Sequence, residues 1–293
     1  MTLSDNLRGA GLMMASMALF TINDAFMKSL AGEVPLVQAV FLRGLITVVV
    51  MLGLLRLIGT PRVALSRRDR GLILVRNAAE VATSYLFLQA LFNMPIANAS
   101  AIMQATPLTV SLAGAVFLGQ AIGWRRLLAI LLGFGGILMI VRPGLEGFTV
   151  YSLYALGAVL MVTARDIFAR MISPEVPSLM IASSNAVSVT LAFGIAFLFT
   201  SWEPMELSHA LNLVGAALAI VGAYFCAVAT MRQGDIAFIA PFRYTSLLTA
   251  IVLGLAIFGE VPDALTLLGG AIVVATGVFT LWREGQRRKA VIR

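Results

Sequence analysis

The chain has 293 residues, 60% of them hydrophobic and only 12% charged, with a mean hydropathy of +0.96. A soluble domain of this size cannot bury so much apolar surface, so the composition implies an integral membrane protein. One cysteine, Cys226, rules out an intramolecular disulfide and a cysteine-cluster metal site, and with one histidine, His209, beside it zinc-type chemistry is not expected.

Runs of roughly 20 apolar residues can span the hydrocarbon core of a bilayer. Charge, proline and glycine divide the sequence into ten such runs, at 9–30, 36–58, 71–92, 96–118, 123–142, 150–171, 177–200, 211–231, 236–258 and 262–282. The opening MTLSDNLRGAG leads into a run longer than a signal-peptide core, so no cleaved targeting segment is expected. The first run carries Asn23, Asp24 and Lys28 and the sixth carries Arg165, Asp166 and Arg170, so these two rest least on hydropathy. The fourth lies in the stretch Met94 to Gln120, where Ser100, Gln104, Pro107 and Ser111 share one side of a helix. A lipid-facing helix gains nothing from a polar row, so this side is expected to face protein or a water-filled cavity. A related pattern returns from Ile236 to Glu260.

Ten spans place both termini on one side, and cytoplasmic loops collect Lys and Arg. Of the 21 basic residues, fifteen fall on the side of the termini, Lys28 and Arg142 on the other, and Arg43, Arg76, Arg165 and Arg243 within spans. A multi-pass protein of a bacterial-type inner (plasma) membrane with both termini in the cytoplasm is expected. The net charge of +7 then reads as a topology anchor beside anionic lipid, which makes the bilayer a partner and leaves nucleic acid no role.

The chain also aligns with itself. A shift of 142 residues sets Asp24-Ala25-Phe26-Met27-Lys28 on Asp166-Ile167-Phe168-Ala169-Arg170, and a shift of 140 sets Ile96-Ala97 on Ile236-Ala237 and Gly119 on Gly259. The expected fold is all-α, with ten transmembrane helices in two five-helix repeats, residues 1–145 and 146–293. An odd number of spans per repeat inserts the halves in opposite orientation, and inverted repeats of this kind hold substrate near the bilayer midplane.

With the segment NMPIANASAIMQATPL, the LRG of Leu42 to Gly44 and the FGE of Phe258 to Glu260, the chain resembles the drug/metabolite transporter superfamily, EamA type, including YddG-like amino-acid exporters. The resemblance implies a ten-helix basket that alternates access between the two membrane faces. Gln120 stands where the first repeat of such proteins usually ends in Gly-Glu, as the second does at Gly259-Glu260, so a titrated acid has no place at the end of the first half.

Ionisable and polar side chains inside spans are the site candidates. Arg76 and Glu80 lie four apart on one helix face and are expected to pair, either to meet the charged ends of a zwitterion or to position the third helix. Asp24 with Lys28 and Asp166 with Arg170 have the same spacing, which suits either a gate at each end or interfacial ion pairs with a snorkelling base. Arg243 follows the Pro241-Phe242 step, so it can recognise a carboxylate with Phe242 and Tyr244 lining the site, or else snorkel, as Arg43 is expected to do. Asn23, Asn98, Ser100, Gln104, Asn185 and Tyr224 offer neutral hydrogen bonds to a solute or between helices. Helix kinks are expected near Pro107 and Pro241.

No GxxxxGK[ST] motif is present, so direct ATP use is excluded. The reading is a secondary transporter, not an enzyme, that moves amino acids or related small polar metabolites out of the cytoplasm, with no cofactor or metal, and a monomer is expected to suffice. Carriage of organic cations, nucleoside-type metabolites or drugs is the alternative, ahead of a channel. A membrane-embedded lipid enzyme would need a nucleophile, metal or paired acids at one interface, and the sequence shows none of these clusters.

Overall fold

The computed structural model describes residues 3–58, 65–119, 123–142, 149–230 and 236–291. Among these the fold is all-helical, as the apolar runs predict. With no water in the bilayer core, each span must satisfy its own backbone. The elements in order are α1 (Leu3–Lys28), α2 (Leu36–Ile58), α3 (Arg67–Asn93), α4 (Ile96–Met103), α5 (Thr106–Leu118), α6 (Trp124–Val141), α7 (Val150–Met171), α8 (Ser178–Phe197), α9 (Leu207–Thr230), α10 (Ile236–Ile239), a 3₁₀ segment (Ala240–Tyr244), α11 (Thr245–Phe258) and α12 (Ala264–Val291). Among the described residues nine stretches are long and apolar enough to cross a membrane, and Leu127–Val141 is a shorter apolar helix.

Two spans are broken. The first is interrupted at Gln104 and Ala105, between α4 and α5, with Pro107 in the first turn of α5. In the second, Pro241 lies in the tighter 3₁₀ turn that joins α10 to α11. Broken backbone at this depth is tolerated where protein or a cavity surrounds it, and both breaks lie inside the bundle. Each span ends alike: Gly119 and Gly259 both take φ 64 and turn their N–H groups back to Gly114 O and Gly254 O. That left-handed stop is unstrained for glycine.

The helices pair across the two halves. α1 packs on α9, α3 on α7, α2 on α8 and α6 on α12, while α1 touches α11 as α5 touches α7. Small residues set the closest approach: a Cβ on Gly136 would lie 2.8 Å from Gly269 O, and one on Gly269 would lie 2.6 Å from Gly136 O. Met27, Leu30, Leu91, Ile96, Ile102 and Leu108 are fully buried in one continuous core. Leu131, Leu132, Val252 and Leu255 are exposed on the outside of the bundle, the surface a bilayer covers.

Candidate functional site

A cavity of about 290 Å³ lies against both broken spans. Its wall is built from Met17, Phe20, Asn23 and Asp24 of α1, Arg43 of α2, and Glu80, Thr83, Ser84 and Phe87 of α3. Ser100, Met103, Gln104 and Pro107 come from the first broken span, Arg165 from α7, Tyr224 from α9, and Arg243 and Ser246 from the second broken span. Apolar walls with a few convergent polar groups are the usual form of a small-molecule site. The two broken spans meet at this cavity, where Gln104 Nε2 donates to Ser246 Oγ at 2.7 Å.

Both signs of charge are present on the wall. Glu80 Oε2 receives Arg165 Nη1 at 2.8 Å, and Arg165 also donates from Nε to Asp166 Oδ1 at 2.9 Å. On the α1 side, Asn23 accepts from Arg43 Nη1 at 3.0 Å and donates to Asp24 Oδ1 at 2.9 Å. Every guanidinium has five N–H donors, so these bonds leave Arg43 and Arg165 with capacity for an anionic ligand group. Arg243 is exposed and also lines the wall. Phe20 meets Tyr224 edge-on at 5.4 Å, which gives the cavity an aromatic flank.

One end of the bundle, the end that carries Lys28, is tied by a second network. Lys28 Nζ pairs with Glu260 Oε1 at 2.9 Å and donates to Leu91 O at 3.2 Å and Met94 O at 2.5 Å. Glu260 Oε2 accepts the Ile96 N–H at 2.9 Å. The carbonyls at the end of α3 and the first N–H of α4 have no intrahelical partner, so one lysine and one glutamate satisfy both helix ends and join α1, α3, α4 and the segment after α11. Nearby, Arg142 bonds Asp263, and His209 Nε2 lies 2.6 Å from Glu33 Oε2. His209 is buried in the first turn of α9 rather than in a loop, and its Nδ1 accepts the Glu206 N–H.

Three ion pairs expected from i, i+4 spacing are replaced by others. Glu80 pairs with Arg165 and not with Arg76, because α3 packs on α7; Arg76 turns to Asn77 Oδ1 at 3.0 Å, and its Nε has no partner among the described residues. Lys28 leaves Asp24 for Glu260 and the open carbonyls of α3, and Asp166 takes the adjacent Arg165 in place of Arg170.

Of the residues singled out in the sequence, Asn23, Asp24, Glu80, Ser100, Gln104, Pro107, Tyr224 and Arg243 share the cavity wall. Arg76, Asn98, Phe242 and Tyr244 are not on it. Phe242 packs on Phe238, and Tyr244 is buried against α12 where the absence of a side chain at Gly277 makes room for its ring. Lys28 belongs to the end network, Asp166 supports Arg165, and Arg170 is exposed at the end of α7. Gln120 lies outside the described residues. Sequence reasoning missed Arg43 and Arg165 as wall residues, although extending the 142-residue alignment by one position sets Asn23 on Arg165. Among the described residues no group of three His, Cys, Asp or Glu side chains is placed to hold a metal.

The model of the EamA-like transporter family matches twice, at residues 7–142 and 149–282. The pseudopaline exporter CntI of Pseudomonas aeruginosa is 28% identical over 284 residues, 90% of this chain and 93% of that protein. The riboflavin transporter of Vibrio cholerae is 26% identical, covering 97% of this chain and 96% of its own, and the S-adenosylmethionine uptake transporter of Rickettsia conorii is 25% identical, covering 95% and 94%. A crystal structure 16% identical in sequence superimposes with a TM-score of 0.66 over 95% of this chain and 98% of that one, a likeness of fold alone.

Proposed function

Since this chain belongs to the EamA-like transporter family, and is a multi-pass membrane transporter of small metabolites rather than an enzyme, we propose that it carries a zwitterion of amino-acid type out of the cytoplasm by alternating access. The observation that carries this reading is the presence of Arg43, Arg165, Arg243, Asp24 and Glu80 on the wall of a single cavity. A zwitterion brings an anion and a cation together, and a wall with both signs replaces the hydration that each loses. S-adenosylmethionine, the cargo named for the Rickettsia relative, bears the same ammonium and carboxylate. Glu80, Gln104, Tyr224 and Arg243 are assigned to binding, and Arg76, Asn98, Phe242 and Tyr244 to support behind the wall.

Alternating access is supported by the exchange of partners between halves, α1 on α9 and α3 on α7, which is what a two-fold relation between inverted repeats produces. The excess of Lys and Arg places the Lys28 end outside, and that end is tied across four segments. In this assignment Lys28 and Glu260 form the outer gate, with Asp24, Asp166 and Arg170 acting near it and near its inner counterpart. A second reading, a flat aromatic cargo, is favoured by Met17, Phe20, Phe87 and Met103 on the same wall and by the name of the riboflavin relative.

Counterflow in proteoliposomes, run with the common amino acids, riboflavin, nucleosides and organic cations, tests the reading. Saturable exchange confined to amino acids is expected. Saturable exchange of riboflavin alone selects the aromatic cargo, and linear flux without exchange contradicts a carrier.

A further inference from the structure

Beside the main cavity lies a chamber of about 50 Å³, enclosed by α2, α3, α8 and α9, and the two share Arg43, Glu80, Ser84, Ile220 and Tyr224. A single water needs about 10–15 Å³ of such space, so the chamber takes a small polar group with a few waters and not a whole metabolite. Its wall is rich in acceptors. The Thr47 hydroxyl donates to Arg43 O at 2.9 Å and the Thr190 hydroxyl to Ala186 O at 2.7 Å, so each has used its only proton and keeps lone pairs alone. Glu80 adds a carboxylate with one oxygen on Arg165. Asn185 is 3% exposed, and its Oδ1 has no hydrogen-bond partner among the described residues. A buried acceptor left unpaired costs about 1–3 kcal/mol, so this is a place where a donor belongs.

The position has a history in the sequence. Arg43 and Asn185 are 142 residues apart, as are Asp24 and Asp166, so the two halves bring equivalent positions to the same chamber, a cation from one and an amide from the other. Gly44, next to Arg43, lets Thr190 Oγ1 occupy the space that a side chain on α2 would fill.

We propose that this chamber is the subsite for the α-ammonium group of the cargo, with Asn185 Oδ1 as the acceptor that reads it, while Arg43 at the shared border takes the α-carboxylate and the cargo's side chain lies in the main cavity. An ammonium group has three donors, for which Asn185, Thr47, Thr190 and the Glu80 carboxylate offer enough acceptors, and it is small enough for the chamber. The proposal rests on the zwitterion reading of the cavity and adds an orientation and a specificity residue.

The test uses the whole protein in proteoliposomes. The common L-amino acids are screened for counterflow, and the one carried fastest is compared as an inhibitor with its N-acetyl derivative, which lacks the ammonium, and its methyl ester, which lacks the carboxylate. Wild-type protein should reject both derivatives. In Asn185→Val the discrimination against the N-acetyl compound should fall about tenfold, as expected for losing one such hydrogen bond, while discrimination against the ester stays as in wild type. Ala186→Val narrows the chamber from its own wall and should lower the same ratio, and it decides the matter if Asn185→Val does not assemble. An unchanged N-acetyl ratio, or an equal fall in both ratios, overturns the subsite and leaves the zwitterion reading standing. Wild-type vesicles that exchange no amino acid overturn both.

Discussion

The two halves of the chain share a backbone plan and differ in what they place on it. Gly119 and Gly259 end the broken spans with the same φ of 64, and Asp24 and Asp166 occupy matching positions on α1 and α7. Around those aspartates the chemistry is exchanged. Asn23 donates to Asp24 in the first half where Arg165 donates to Asp166 in the second, and Arg43 of the first half faces Asn185 of the second. The first half thus contributes one guanidinium, Arg43 of α2, and the second contributes two, Arg165 of α7 and Arg243 of the second broken span. The family model matches both halves, and within that common plan the wall positions differ.

The largest expected effect comes from removing the second half's cation. Arg165→Leu strands Glu80 and Asp166 inside the bundle, and breaking such a buried pair costs about 3–5 kcal/mol. The matching change in the first half, Asn23→Leu, breaks no ion pair but leaves one Arg43 N–H and one Asp24 oxygen short of a neutral partner, about 1–3 kcal/mol. Thermal unfolding in detergent should rank them in that order, and equal losses would dissolve the contrast.

Next comes the crossing of α6 and α12. Gly136→Val and Gly269→Val each drive a side chain against backbone oxygen, and overpacking of this kind costs about 1–3 kcal/mol. Gly135 has nothing within 4 Å of a built Cβ, so Gly135→Ala should be neutral or stabilising by up to about 1 kcal/mol.

The end networks give a smaller contrast. A double-mutant cycle on Lys28→Met and Glu260→Gln should return a coupling of about 1–2 kcal/mol. Arg170→Met, at the matching position of α7 but exposed, should stay within about 0.5 kcal/mol of wild type.

Asp263 gives a smaller effect than the Lys28–Glu260 pair. Its Oδ1 accepts the Thr266 N–H at 2.8 Å at the start of α12, so Asp263→Ala should cost about 1 kcal/mol of unfolding stability. The Thr266 backbone N–H, helped by Arg142, holds the Asp263 carboxyl below the usual carboxylate range. A depressed folded value means that the contribution is complete above the unfolded value of about 3.9 and is lost as pH falls through the folded one. The difference in melting temperature between wild type and Asp263→Ala should therefore shrink only in acid, and only slightly, because the side chain is half exposed.

The apolar runs made the spans legible, and the polar row of Ser100, Gln104 and Pro107 marked the helix that borders the cavity. Charge partners were not legible in the same way. Spacing within one helix joins Arg76 to Glu80 and Asp24 to Lys28, yet partner choice depends on which helices touch, and the contact of α3 with α7 is a property of the assembled bundle. The end of α3 shows this well. Pro95 marks a stop, but that Lys28 would serve the Leu91 and Met94 carbonyls follows only from where α1 ends. Arg165 was within reach through its repeat position opposite Asn23, whereas the open acceptor of Asn185 needed coordinates.

The central claim is that one cavity holds the cargo and is exposed to the two faces in turn. Ser84 lines both the cavity and its side chamber, so Ser84→Cys in a Cys226→Ser background reports on it directly. The measurement is the rate of labelling by a membrane-impermeant maleimide from each face, with and without a gradient of the transported amino acid. The account predicts protection by the amino acid, and a rate that falls on one face as it rises on the other when the gradient is reversed. Labelling indifferent to the amino acid, or rates that rise on both faces together, would contradict it.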